Sequence, residues 1–573
     1  MKQRKHDTKR RKFLQVAPMA LVGTSVMPHS SNSSQVAGTS LTPKTIGCAE
    51  LVAGLEFSES ERKQILPSVE NNVERYAQLR QLELTYDVEP ATVFHPYRAS
   101  NRPTGAATPN AQLPVSSADQ VLVRPVIEEL AFQPVTVLSN VIKRREVTPT
   151  DLTRMYLARL RRYRESINCV VTLTEELALK QAAAADRELA AGRYRGPLHG
   201  IPWGAKDLFA TKGIRTTWGA RPFENQVIDV DATVVERLHD AGAVLVAKLA
   251  VGALARGGVW FGGAVQNPWD LNQTVNASSA GPGAATAGGL VAFSVASETR
   301  GSIISTSNPC GVTGLRSTYG RISRYGVMAA SWTMDKIGPM CRSVEDCAHV
   351  FNAIYGSDGR DDAVVDAPFE WPPKRSLSQM RLGYVQQEFE DPPPSAPERE
   401  RELWPMWRPV WASALETLRA AGAVLQPIEL PPFPHRLLQI IQSVESAALF
   451  DDLTRNRELD SLTENGSPGS FRSSSLIPAV DYVRAQRARK LLMREMDRLM
   501  TTYDAFVSPP RSEGLQITSF TGHPALVLKA GFAQGVPVGV MFTGRLFDET
   551  SVLQLGMALE GSTRWHTMNP ELG

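Results

Sequence analysis

The sequence is poor in the residues that build metal sites and disulfide frameworks. Five cysteines (Cys48, Cys169, Cys310, Cys341, Cys347) stand among 573 residues, none in a CxxC or mixed Cys/His cluster, which argues against structural zinc. Their odd number precludes a fully paired intrachain set; Cys341 and Cys347 would pair only if the fold brought them together, and most read as small buried hydrophobes. Cys48 follows Thr45-Ile46-Gly47, a weak echo of a lipoprotein acylation site. There is no HExxH, no GxxxxGK[ST] and no Gly-x-Ser-x-Gly elbow, so zinc proteases, P-loop enzymes and Ser-His-Asp hydrolases lack their markers. Charge of one sign is lacking too. The 62 Lys and Arg against 59 Asp and Glu leave a net charge of +3, part of it from the first dozen residues, and give no case for nucleic acid or an acidic partner. No later segment reaches 18 apolar residues, so the mature chain is expected to be soluble, without stable membrane insertion.

The N-terminus is more informative. Lys2, Arg4, Lys5 and Lys9 precede Arg10-Arg11-Lys12-Phe13-Leu14, and a modestly apolar stretch follows from Val16 to Met27. Such a head resembles a twin-arginine export signal, read by a receptor that moves folded proteins. The chain is then expected to divide into a signal over 1–30, a flexible spacer over 31–57, a helical arm and linker over 58–133, and a catalytic domain over 134–573. The location implied is periplasmic, or cytoplasmic if the basic head is an ordinary disordered tail. Within the arm, Ile65, Leu66, Val69, Val73, Tyr76 and Leu79 recur at helical spacing. Arg98 to Asp119, with its prolines and small polar residues, reads as linker.

Helix and strand signals alternate beyond it. Thr150-Asp151 opens a helix, Cys169 to Leu173 is strand-like, and Ala-rich Glu175 to Ala191 is a helix stopped by Gly192. A further helix is expected over Thr233 to Ala241, a strand over Ala243 to Val246, and Ser343-Val344-Glu345-Asp346 resembles a capping box. The alternation predicts an α/β fold, a sheet with helices on both faces. Leu430 to Pro478 is less regular. Its Ser- and Gly-rich part from Asn465 to Ser475 reads as loop, either a pocket wall or a surface insertion.

Three features between Gly196 and Tyr325 fit one mechanism. Gly200-Ile201-Pro202-Trp203-Gly204-Ala205-Lys206-Asp207 sets a lysine behind an apolar segment, where desolvation would lower its pKa. Asn276-Ala277-Ser278-Ser279-Ala280-Gly281-Pro282-Gly283 is a Ser/Gly-rich turn feeding a helix of small residues. Finally, Ser297-Glu298-Thr299-Arg300-Gly301-Ser302-Ile303-Ile304 passes from strand to helix, so that a serine sits beside free backbone N–H groups.

Together these features resemble the amidase signature family over roughly Pro134 to the C-terminus. Further family-like blocks are Cys310 to Arg316, Asp335 to Pro339, Gly522 to Ala525 and Gly535 to Gly539. The resemblance implies a single domain with a twisted mixed sheet covered by helices. It also implies a Ser–Ser–Lys triad that hydrolyses a carboxylic amide, a linear carbon–nitrogen bond other than a peptide bond, with esters as side substrates. Ser302 would be the nucleophile, Ser278 (joined in the family through a cis peptide to its predecessor) the proton relay, and Lys206 the base. Backbone N–H groups from Thr299, Arg300, Gly301 and Ser302 would hold the oxyanion, with Ser279 and Trp332 near a small-molecule substrate. No metal or organic cofactor is implied, and oligomeric state is unread.

Three departures stand out. Ala277, Ala280 and Pro282 replace usual glycine or serine positions. Arg300 stands where a small residue is common, and either crowds the oxyanion hole or meets an anionic substrate. Ile304 replaces an arginine, a change that pairs with Glu298 in place of aspartate. Two other functions stay open: an amidotransferase A-like component, and an inactivated fold retained as an exported binding protein.

Overall fold

A computed structural model describes residues 41–82, 92, 109, 111–116, 126–394, 396–462 and 467–572. The signal-like head and most of the linker over 98–119 lie outside the described residues.

Eleven strands form one sheet. In chain order they are β1 (Val170–Leu173), β2 (Pro202–Lys206), β3 (Val244–Leu249), β4 (Phe293–Glu298), β5 (Thr313–Arg316), β6 (Lys336–Cys341), β7 (Leu382–Tyr384), β8 (Leu425–Pro427), β9 (Ala505–Ser508), β10 (Ala525–Ala533) and β11 (Val536–Gly544). Across the sheet they run β1-β3-β2-β4-β6-β5-β10-β11-β9-β7-β8. The sheet is mixed: β3-β2-β4 and β9-β7-β8 pair in parallel, and every other neighbouring pair is antiparallel.

The strands alternate their burial between two cores, as the two-residue side-chain period requires. Trp203, Ala205, Phe293, Val295, Leu315, Ile337, Leu526, Leu528, Val540 and Phe542 face one core. Ala296 and Met340 face a second core, and Val527 and Met541 a smaller cluster on that side. Helices cover both faces, among them Pro149–Arg162, Glu175–Ala190, Thr233–Asp240 and Val344–Ile354. The first is capped by Thr148, two residues ahead of the expected start, with Pro149 in its first turn. Ser343 caps the last by accepting from the Asp346 N–H. The capping box is only half made, because the Asp346 carboxylate instead accepts from the N–H groups of Val135 and Thr136.

The N-terminal arm differs from expectation in one respect. Instead of spacer, residues 43–53 form helix α1 (Pro43–Ala53), capped by Thr42. Its Ile46 packs with Phe57 and Ile65, and its buried Glu50 pairs with Arg62 of helix α2 (Glu59–Arg80). The Ser/Thr-rich composition concealed this amphipathic pairing, which needs the second helix to be seen. Along α2, Ile65, Tyr76 and Leu79 are buried as predicted, but Val73 is 48% exposed. It stands about 80° round the helix from Ile65, and Asn72 takes the buried place instead.

The segment read as loop is also different. Asn465 and Gly466 lie outside the described residues, but Pro468–Ser474 is a helix held to the arm by Arg472, which pairs with Glu61 at 2.6 Å. Its Ser- and Gly-rich sequence has weak helical propensity, and packing against α2 overrides it. All five cysteines are free; Cys48 is exposed on α1 and the other four are buried. No helix among the described residues is long and apolar enough to cross a membrane.

The arm should therefore behave as a locally stabilised unit. Ile65→Ala is expected to lower the opening free energy of α1 and α2 by about 2–4 kcal/mol. Hydrogen exchange should accelerate in residues 43–80 while β10 and β11 keep their protection.

Candidate active site

β2 and β4 are parallel neighbours, and Ala205 pairs with Val295, which puts Lys206 at the end of β2 level with Ala296 and within reach of Ser297 near the carboxyl end of β4. That is the edge where open α/β sheets place their sites. The β4 chain then turns through Thr299 to Ile303 and enters helix Ile304–Cys310, which puts Ser302 on the turn. The second serine pair arrives at the start of helix Ala280–Ala287. Gly281 allows that approach: a Cβ there would fall 2.4 Å from the Ala250 nitrogen, and the Gly281 N–H donates to the Ala250 carbonyl.

The three predicted catalytic groups meet. Ser278 Oγ lies 2.5 Å from Ser302 Oγ and 3.0 Å from Lys206 Nζ. Lys206 is fully buried and has four further oxygens in reach: Ser279 Oγ at 2.9 Å, Ser297 Oγ at 3.1 Å, the Ser297 carbonyl at 3.2 Å and Ser302 Oγ at 3.4 Å. Burial brings its pKa down to about 7, against the weaker opposing attraction of Asp335 and Glu298. The neighbouring carboxylate does not reverse this, because Asp207 pairs with the equally buried Lys248 at 3.0 Å.

Ser279, expected near substrate, is instead fully buried beneath the nucleophile. It lies 2.8 Å from Ser302 Oγ and donates to the Ser297 carbonyl at 3.1 Å. With its proton so directed, Ser279 can only accept from Lys206 or Ser302. Ser278 keeps a hydroxyl free to accept from Ser302 and donate to Lys206. The Ala277–Ser278 peptide is trans, unlike the family expectation, since the single cis bond among the described residues is Trp371–Pro372. Ser278 reaches both partners from the trans geometry.

The oxyanion turn is held from below. The Glu298 carboxylate accepts from the N–H groups of Ile303 and Ile304 at 2.8 and 2.9 Å, and pairs with fully buried Arg316 at 2.9 Å. Thr299 is fixed on both sides, its hydroxyl donating to Asp335 and its carbonyl accepting from Lys336. Gly301 has φ +110°, a region that favours glycine. The N–H groups of Arg300, Gly301 and Ser302 meet no protein acceptor among the described residues, which leaves them free for an oxyanion.

The departures are accommodated. Pro282 lies in the first turn of its helix, where a backbone N–H has no intrahelical partner to lose. Ile304 is buried among Leu515, Ala525, Val527 and Met541, while Arg316 supplies the positive partner for Glu298.

Ser278 and Ser302 open onto a cavity of about 490 Å³ whose far wall includes Gln439, Gln442 and Ser467. The irregular segment thus walls the pocket. Trp332 does not line this cavity. It is 48% exposed and borders a separate cavity of about 260 Å³ with Ser297, Tyr325 and Asp335. His199 and His523 are buried with structural partners, Glu188 and Thr521. Among the described residues no group of three His, Cys, Asp or Glu side chains could hold a metal ion. Ser297, Arg316, Lys336 and Arg256 were not anticipated as site-builders. Ser297, Arg316 and Lys336 each lay in a block already singled out, the strand-to-helix block and the family-like blocks Cys310 to Arg316 and Asp335 to Pro339, whereas Arg256 had no signal.

A mixed sheet that carries a Ser–Ser–Lys cluster beneath free turn amides is the arrangement expected of an amidase-signature protein. The Amidase family profile matches residues 151–514, and the chain belongs to that family. It is 33% identical over 490 residues to a glutamyl-tRNA(Gln) amidotransferase subunit of Heliobacterium modesticaldum, covering 76% of this chain and 98% of that protein. The corresponding subunit of Methylococcus capsulatus is 31% identical over 75% of this chain and 96% of its own. Among solved structures, native peptide amidase from Stenotrophomonas maltophilia superposes with a TM-score of 0.66 at 28% identity, covering 76% of this chain and 98% of that one.

A lysine can serve as a base only when neutral, so if Lys206 has that role kcat/KM should rise with pH through an apparent pKa near 7 and be lost below it. A limb displaced by more than about one unit would contradict the burial argument. Ser278→Ala is expected to cost about 10²-fold or more in kcat, and Ser279→Ala distinctly less.

Proposed function

We propose that this protein hydrolyses a carboxylic amide, and simple esters as side substrates, through an acyl-enzyme on Ser302. The observation that carries the reading is the unbroken contact from Ser302 through Ser278 to a lysine whose burial brings its pKa to about 7. As Ser302 Oγ attacks the carbonyl carbon, its proton passes to Ser278 Oγ, whose own proton passes to Lys206 Nζ. The tetrahedral oxyanion takes the turn amides; one such donor is typically worth about 10²–10³ in rate. Lys206 returns the proton through Ser278 to the leaving amine. Water then repeats the sequence on the acyl ester and frees Ser302.

The curated relatives favour a second reading, in which the same acyl-enzyme step serves an amidotransferase and the released nitrogen passes to an acceptor held by a partner. The head Arg10-Arg11-Lys12-Phe13-Leu14 supports export to the periplasm, where transfer RNA is absent, and so favours hydrolysis to water.

The isolated protein should turn over a panel of aryl amides and esters and be labelled by a fluorophosphonate. Ser302→Ala and Lys206→Ala, both remaining folded, should each lose at least about 10³-fold. Turnover that required a partner and an acceptor would favour the amidotransferase reading. Inertness to both substrates and label would favour an inactivated binding protein. Replacing Arg10-Arg11 by two lysines should retain the full-length chain in the cytoplasm, and unchanged fractionation would count against export.

A further inference from the structure

Among the described residues the cavity above Ser302 is lined by two arginines, Arg256 and Arg300, and by no aspartate or glutamate. Each guanidinium has one neutral anchor. Arg300 Nε donates to Gln442 Oε1 at 2.6 Å, and Arg256 Nη1 donates to Ser470 Oγ at 2.6 Å while its plane sits 4.3 Å from the Phe471 ring centroid. Neither forms an ion pair among the described residues. Both terminal nitrogens of Arg300, and Nε and Nη2 of Arg256, are left without a protein acceptor there.

Elsewhere buried arginines either pair with acids, as at Arg316–Glu298, Arg321–Glu549, Arg324–Asp361 and Arg472–Glu61, or fill their donors with several carbonyls and hydroxyls, as at Arg237, Arg342 and Arg489. Among the described residues the two cavity arginines have neither. Burial, together with repulsion of Arg256 by Arg300 and of Arg300 by Arg75 on α2, brings both down to about 10, so they remain charged at neutral pH. Gathering unpaired cations in a part-buried wall is unfavourable unless an anion completes it. Planar forks with two free N–H donors match a carboxylate.

Resting on the amide-hydrolysis reading and naming its substrate class, we propose that the amide cleaved at Ser302 carries a carboxylate, bound by Arg300 and Arg256. The Arg300 side chain thereby acts in specificity while its backbone N–H stays in the oxyanion turn. The carboxylate can belong to the acyl part, as in a dicarboxylic acid monoamide, or to the amine part, as in an N-acyl amino acid.

Calorimetric titration of the full-length Ser302→Ala protein separates these sources and needs no turnover. One arm compares malonamate, succinamate and glutaramate with their neutral diamides; the other compares N-acetylglycine with N-acetylglycinamide. The carboxylate should bind about 10–100-fold tighter than its isostere in one arm. That advantage should fall below about threefold on adding Arg300→Gln or Arg256→Gln. Equal binding in both arms, or none, overturns the proposal, as does an advantage that survives both arginine substitutions. Should one arginine variant not fold, the other and the parent ratio still decide. Failure of the hydrolase reading would show separately, as a wild-type protein inert to neutral amides and esters and to fluorophosphonate.

Discussion

The rest of the site depends on keeping one lysine dry. Lys206 stands at the end of a strand inside an eleven-stranded sheet, fully buried, and its ammonium form is penalised because little water reaches it. The fold could easily have cancelled that penalty, since Asp207 is the next residue and Glu298 and Asp335 are near. Each acid is instead engaged elsewhere: Asp207 with Lys248, Glu298 with Arg316, and Asp335 with Thr299 and two backbone N–H groups. What remains around Nζ is a ring of hydroxyls and one carbonyl, which orient a neutral amine without holding its proton.

Those same pairings shape the turn that carries Ser302. Glu298 links Arg316 on β5 to the first amides of the following helix, so the nucleophile's turn is fixed to the sheet on one side and to the helix on the other. Pairing Glu298 from the sheet removes the need for a cation at position 304, and an isoleucine there extends an apolar cluster instead. Two apparent departures from the family pattern are one compensated change. Arg300 is different in kind, because its side chain leaves the turn for the cavity wall and Gln442.

The N-terminal arm belongs to this architecture rather than preceding it. Helix α2 holds the helix Pro468–Ser474 through Glu61 and Arg472, and Ser470 on that helix anchors Arg256. The far wall of the cavity thus combines the helix Gln439–Leu449 with Ser467, at the start of a helix that the arm holds in place.

The amino-acid sequence by itself determined the α/β alternation, the amphipathic α2 and the three residues that gather at the site, Lys206, Ser278 and Ser302. Each is written in a contiguous block whose local period or turn chemistry is sufficient to place it: Gly200 to Asp207, Asn276 to Gly283, Ser297 to Ile304. Only the tertiary structure decided that α1 is helical, that Ser279 lies buried against Ser302 and that Ser278 reaches Ser302 and Lys206 from a trans peptide. It alone turned Trp332 away from the cavity and brought Arg256 to the side of Arg300. These outcomes depend on contacts between residues tens to hundreds of positions apart. Burial and charge pairing across such distances are set by packing, and no local pattern in a single chain encodes them.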